Sequence, residues 1–122
     1  MGKKGFKDLV VWQKAKGLAV TIYKITSENK AFERDLGLRD QMRRSSVRVA
    51  SNIAEGDERD TDKESVRFFY IAKGSLAELR TQIEIAHSIQ YITSEVFVTL
   101  DSDCQHLGKM IGRLIQVRRS EN

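Results

Sequence analysis

Glu84 and His87 stand three residues apart in a stretch with helical periodicity, and Asp103 and His106 repeat that spacing further along the chain. A Glu-x-x-His pair repeated on two facing helices is how some bundle cores hold two iron or manganese ions. Such a centre also needs carboxylates aimed inward from the remaining helices, and the apolar stripes of those helices supply none. Glu84 itself falls outside the main apolar stripe of its helix. The expectation is therefore surface side chains at helical spacing, with no metal and no other cofactor. Cys104, the single cysteine, lies on an apolar edge and reads as a small core residue, not a nucleophile. The eight glycines are dispersed, so no glycine cluster opens a helix to cradle phosphate. With no convergent nucleophile, base or metal set, the sequence offers no catalytic residues and does not read as an enzyme.

Ser75 and Glu78 are polar residues on a helix face that is otherwise apolar. Glu78 is either the edge of that face or a buried group that must find hydrogen-bond partners. Asn52 is a candidate partner, and the three are assigned a structural role. Charge is the other chemical resource. Arg39, Arg43, Arg44 and Arg48 form a basic run, and an acidic stretch from Glu55 to Glu64 follows it. A second basic group, Arg113, Arg118 and Arg119, sits near the C-terminus, where cations complement a helix end. These seven arginines are the candidate phosphate contacts, although arginine forks suit salt bridges to the acidic stretch equally well.

The elements that must carry these residues are helices. Placing residues at helical intervals gives four amphipathic segments, at about 8–28, 36–55, 62–92 and 94–118. The first gathers Val11, Trp12, Ala15, Leu18, Ala19, Ile22, Tyr23 and Ile25 on one side. The second has a core stripe of Leu38, Met42, Val49 and Ile53, with Gly56 as its expected C-cap. It also carries a smaller stripe of Val47, Ala50 and Ala54 on another side. Thr61-Asp62-Lys63-Glu64 reads as a capping box that opens the third helix. The main stripe of that helix runs from Phe68 to Ala86, and Ile71, Ile85 and Ile89 widen it past what a monomeric bundle buries. Val47, Ala50, Ala54, Ile71, Ile85 and Ile89 are accordingly the expected contacts to another copy of the chain. The fourth helix lines up Val96, Leu100, Leu107, Ile111 and Leu114. Short connections make successive helices antiparallel, so the expected fold is all-α: a single-domain, up-down-up-down four-helix bundle.

Composition agrees. The chain has 122 residues, 40% of them hydrophobic and 31% charged, and no proline. That is one domain's worth of chain, and the missing proline favours long helices over a turn-rich β fold. One cysteine excludes an intramolecular disulfide scaffold. No stretch approaches a membrane span, and the opening Met1-Gly2-Lys3-Lys4 fits neither a secretion signal nor a myristoylation motif. A cytoplasmic protein is expected. The net charge is +4, and it resides in the first half: residues 1–60 carry 13 basic and 9 acidic side chains, whereas 61–122 carry eight of each. Such an excess permits nucleic-acid contact without demanding it.

Ser51-Asn52-Ile53-Ala54-Glu55-Gly56 and Phe69-Tyr70-Ile71-Ala72-Lys73-Gly74-Ser75-Leu76-Ala77-Glu78-Leu79, in this order, resemble the four-helix bundle family of 23S rRNA intervening-sequence proteins. The opening Phe6-x-Asp8-Leu9-x-Val11-Trp12-Gln13-x-Ala15 and the run Leu38-x-x-Gln41-Met42-Arg43-Arg44-Ser45-Ser46-Val47 are similar to it too, so the resemblance covers nearly the whole chain. Val49-Ala50 stand where the family commonly has a proline. The resemblance implies a homopentameric ring of antiparallel bundles, shared with the accessory variability protein of diversity-generating retroelements, which works beside a reverse transcriptase and binds nucleic acid through a basic surface. It brings no catalytic residue.

Two functions follow as expectations. One is a non-catalytic homo-oligomer that binds RNA or DNA non-specifically through repeated basic patches. The other is a protein-interaction scaffold or accessory subunit for a partner enzyme, docking through the acidic stretch Asp57 to Glu64.

Overall fold

Three of the four long helices start where a side chain caps them, and the first, which follows Leu9, has no such cap. Asp35 Oδ1 accepts from the Leu38 amide at 3.1 Å, Thr61 Oγ1 from Glu64 at 3.2 Å and Thr93 Oγ1 from Val96 at 3.2 Å, each satisfying one of the amides a helix leaves open at its first turn. The computed structural model describes residues 5–120; the opening Met1-Gly2-Lys3-Lys4 lies outside them. The helices are α1 (Val10–Glu28), α2 (Leu36–Asp57), α3 (Asp62–Ser88) and α4 (Ser94–Ser120), with single 3-10 turns at Phe6–Asp8 and Lys30–Glu33. Each helix packs on its chain neighbours, and α1 also meets α4, with no diagonal packing. The all-α up-down-up-down bundle expected from periodicity is the observed fold.

Boundaries differ from the periodicity in four places: α4 runs on to Ser120 instead of ending near 118, and the other three differences each have a physical reason. The first helix begins at Val10, because residues before it form the tighter turn that seats Phe6 edge-on against Trp12 at 5.1 Å. α3 stops at Ser88 instead of reaching Ile92. Gln90 takes the left-handed conformation, φ 66°, and the Tyr91 amide returns to the Ala86 carbonyl at 2.8 Å; this C-terminal motif ordinarily uses glycine, so the sequence hides it. α2 continues through Gly56 to Asp57, so Gly56 is not a C-cap. A Cβ on Gly56 would stand 2.5 Å from Phe69 Cε1 and 3.0 Å from the Ser65 carbonyl oxygen. The glycine is there because α2 and α3 approach too closely for any side chain.

The core runs the length of the bundle: Ile22, Phe32, Met42, Val49, Ile53, Phe69, Leu79, Ile83, Leu107 and Ile111 are all but sealed from solvent. Tyr23 departs from the expected core side and is 44% exposed. At one end the two connections are tied together. The Tyr91 hydroxyl donates to Asp35 Oδ2 at 3.0 Å, Asn29 Nδ2 donates to the Tyr91 carbonyl, and Phe32 meets the Tyr91 ring edge-on. At the other end Arg118 in the last turns of α4 donates to Asp57 Oδ1 at 2.8 Å, with the Asp57 side chain fully buried and that of Arg118 only 14% exposed. Arg118 also lies over the Phe69 ring. This latch closes α4 onto the junction of α2 and α3.

Candidate nucleic-acid interface

Each candidate arginine must be asked whether its charge is already committed. Arg43 is committed: its Nε donates to Thr26 Oγ1 at 2.9 Å, its Nη2 to Ser27 Oγ at 3.0 Å, and its guanidinium lies 4.7 Å over the Tyr23 ring. It fastens α2 to α1. Arg118 is committed to Asp57, and Arg39 sits 3.0 Å from Asp40. Arg43 and Arg118 are thus engaged within the bundle and Arg39 with an exposed neighbour, which leaves these three candidates less available to phosphate than the others. Arg44 and Arg48 remain on the outer face of α2, Arg48 with Glu78 at a loose 3.9 Å. Arg113 is exposed on α4, and Arg119 donates from Nη1 to the Tyr70 hydroxyl at 3.1 Å.

Arg113 and Arg119 belong to a larger feature that wheel arithmetic on single helices misses. Tyr70, Lys73, Ala77 and Arg80 recur about one turn apart on α3 and face Gln105, Lys109, Gly112, Arg113, Gln116 and Arg119 on α4. Together they line a furrow between the two helices, made of two depressions that share Lys73 and Lys109. Among the described residues, five of its lining side chains are cationic and none is acidic. Asp101, outside the lining, approaches Arg80 at 3.5 Å. The signal was present in the sequence as a polar stripe at three- and four-residue spacing on each helix, but only the pairing of α3 with α4 turns two stripes into one cationic track.

The polar trio resolves separately. Ser75 is buried. Glu78 is half exposed at the edge of its face, and Asn52 donates to the Arg48 carbonyl at 2.8 Å on its own helix instead of to Glu78. The candidate metal pairs are occupied otherwise. His87 stacks on Phe97 with centroids 4.3 Å apart and meets Ser94 Oγ at 3.1 Å, while His106 Nδ1 lies 3.1 Å from the Ser102 carbonyl. Among the described residues no three potential ligands gather. The acidic stretch is partly consumed too: Asp57 is buried against Arg118 and Glu55 pairs with Arg59 at 3.6 Å, so Asp57 is withdrawn from any docking surface.

Cys104 is fully buried, and burial pushes its thiol up to about 12 from the ordinary 9. The hydrogen bond to Asp35 raises the Tyr91 phenol in the same direction. Both groups must stay protonated in the folded chain, so their contribution is complete below their unfolded values and is lost as pH rises, for the thiol between 9 and 12. The denaturant midpoint is expected to be flat from neutrality to the ordinary thiol range and to fall above it. Cys104 should resist alkylation until the chain unfolds; rapid labelling of the native protein at neutral pH would contradict this.

Apolar surface is left over in two places. Phe6, Trp12, Val20, Tyr23, Val47 and Ala54 line an open apolar hollow between α1 and α2, with Ala50 at its floor. On α3, Ile71 and Ile85 are 43% and 46% exposed, and Ile89, just past its end, is 47% exposed. The N-terminal turn thus covers only one edge of the second α2 stripe, and nothing among the described residues covers the isoleucines.

The model of the 23S rRNA-intervening sequence proteins matches residues 7–113, from the N-terminal turn to the furrow arginine. The chain belongs to that family. A solved structure, described as a protein of unknown function from the S23 ribosomal protein family of Bacteroides thetaiotaomicron, shares 22% identity and superposes with a TM-score of 0.81 over 87% of this chain and 98% of its own. At that identity the likeness bears on the fold alone, and the two chains share it. No curated protein matches this sequence. No helix among the described residues is long and apolar enough to cross a membrane.

Proposed function

We propose that this intervening-sequence protein is a non-catalytic, cytoplasmic nucleic-acid-binding module that works as a closed homo-oligomer, a pentamer by the family resemblance. The observation that carries the reading is the α3–α4 furrow, where Lys73, Arg80, Lys109, Arg113 and Arg119 line one track with no carboxylate among the described lining residues. A cationic track whose described lining holds no carboxylate attracts phosphate, although Asp101 beyond the lining draws off part of the charge of Arg80. Arg44 and Arg48 add a second, weaker outer patch. A single chain carries only +4, so one copy binds phosphates feebly; several copies present the furrow repeatedly, and avidity rises without a strong single contact. The apolar hollow and the isoleucine row lie on different helices, which suits head-to-tail contacts that close into a ring.

The test is binding of mixed-sequence oligonucleotides, by anisotropy, to protein whose oligomeric mass is first established by sedimentation. Affinity should show no marked sequence preference and should fall steeply with salt. Replacing Lys109 and Arg113 together by alanine should weaken binding about tenfold and lower the salt slope by about two, one for each phosphate no longer neutralised, with the oligomer intact. Arg44→Ala with Arg48→Ala should have a smaller effect in the same direction. If oligomeric protein at micromolar concentration and low salt binds no nucleic acid, the furrow has another purpose and docking of a partner protein becomes the better account.

A further inference from the structure

We propose that the α3–α4 furrow takes a single strand of nucleic acid in preference to a duplex, with Tyr70 as the platform for a base. The proposal rests on the nucleic-acid reading and narrows it. Width is the first argument. Packed helices lie about 8–10 Å apart axis to axis, so the furrow between α3 and α4 admits one sugar-phosphate backbone, and a duplex can only ride across its rims. Length is the second. From Gln105 to Arg119 the α4 wall spans about 21 Å at 1.5 Å per residue. That holds about three to six nucleotides, at ~3.4 Å each when stacked and about twice that when extended, close to the shortest sites known for single-strand binders.

The lining is the third argument. Lys73 and Arg80, about two turns apart on one wall, face Lys109, Arg113 and Arg119 on the other, where the first two are about one turn apart and Arg119 follows six residues on, with Ala77, Gly108 and Gly112 among them. Helix packing does not account for these glycines: a Cβ on Gly112 would meet nothing within 4 Å, and one on Gly108 would make an ordinary 3.6 Å contact with Leu76. What the missing side chains do is keep the floor open between the cations. Tyr70 completes the set. Tyr70 is 47% exposed, and its hydroxyl accepts from Arg119 at 3.1 Å, which sets the ring beside the cations. An exposed aromatic among cations is what an unpaired base stacks on, because every base has a π face. Bases inside a duplex are already stacked on each other and gain nothing from Tyr70.

The experiment measures anisotropy with one labelled mixed-sequence oligonucleotide as single-stranded RNA, as single-stranded DNA and as the DNA duplex, at one low salt concentration. Both single strands should bind at least tenfold tighter than the duplex. Tyr70→Ala should weaken single-strand binding about tenfold, leave the salt slope unchanged and spare the residual duplex binding, whereas Tyr70→Phe should retain most of the affinity. Gly112→Leu, which fills the floor without touching a charge, should weaken single strands in the same selective way. Tyr70 and Gly112 lie outside the core, and a circular dichroism melt checks that each variant folds. Equal affinity for single strand and duplex, or a Tyr70→Ala loss shared equally by both, overturns this inference and leaves the nucleic-acid reading standing. Binding of neither form overturns both.

Discussion

Replacing Asp57 by alanine is expected to destabilise the bundle by about 3 kcal/mol. The Asp57 side chain has no solvent exposure, and Arg118 bonds it at 2.8 Å between two helices, α2 and α4, that are not packed on each other along their lengths. Breaking a buried ion pair from one side costs about 3–5 kcal/mol, because the remaining charge keeps its desolvation penalty without its compensation. Arg118 retains 14% exposure, so water recovers part of that, and the lower end of the range applies. In a domain this size the loss should appear as a fall in melting temperature of roughly 10 °C, read at fixed protein concentration because an oligomer's stability depends on it. Arg118→Ala should cost at least as much, since Asp57 is the more deeply buried partner. A replacement of both by well-fitting apolar residues should recover much of the loss, which separates the cost of a broken pair from the worth of the pair itself. A melting temperature within a degree or two of the wild type in Asp57→Ala would show that the latch is dispensable.

Gly56→Ala should destabilise by about 1–2 kcal/mol, although alanine is the better helix former by about 1 kcal/mol. The added methyl would stand 2.5 Å from one ring carbon of Phe69, 2.8 Å from another and 3.0 Å from the Ser65 carbonyl. Phe69 is fully buried, and the guanidinium of Arg118 covers its ring, so the ring has nowhere to turn. Overpacking of this kind costs about 1–3 kcal/mol and more for larger insertions, so Gly56→Val should be worse. The control is Gly17, in the exposed interior of α1 with nothing within 4 Å of its would-be Cβ. There alanine should stabilise by about 0.5–1 kcal/mol. The informative outcome is the opposite sign at two helical glycines; the same sign at both would show that α2 and α3 can separate at little cost.

These glycines and arginines divide what one helix shows by itself from what only the packed bundle shows. Periodicity found all four helices and most of the core, because an amphipathic stripe is a local property that one helix carries alone. Gly56 was legible as special but not as what it is. A glycine just past the last apolar positions looks like a cap, and only the approach of Phe69 from another helix makes it a packing glycine. Gln90 shows the converse, a left-handed stop occupied by a residue that does not advertise it. The arginines divided for a related reason. A wheel puts Arg43 and Arg44 on different flanks of α2 but does not say that one reaches Thr26 and Tyr23 on the neighbouring helix while the other reaches outward. Long side chains choose partners across space, so commitment of charge is a tertiary property. The furrow is tertiary in the same sense, since neither α3 nor α4 carries it by itself.

Synthesis order gives the Asp57 latch a meaning in time. Asp57 is joined to Arg118 across 61 positions of sequence, and a growing chain meets them in that order. While α4 is still being made, α2 and α3 already share the most extensive interface in the bundle, but their junction holds a carboxylate and the Phe69 ring awaiting a cover that does not yet exist. The nascent protein therefore passes through a three-helix stage whose open corner is the site where α4 will land, and the corner closes only once Arg118 has been made and α4 is clear of the ribosome. Ribosomes halted before Arg118 should display that open corner to chaperones, and those halted far enough beyond it to free α4 should not.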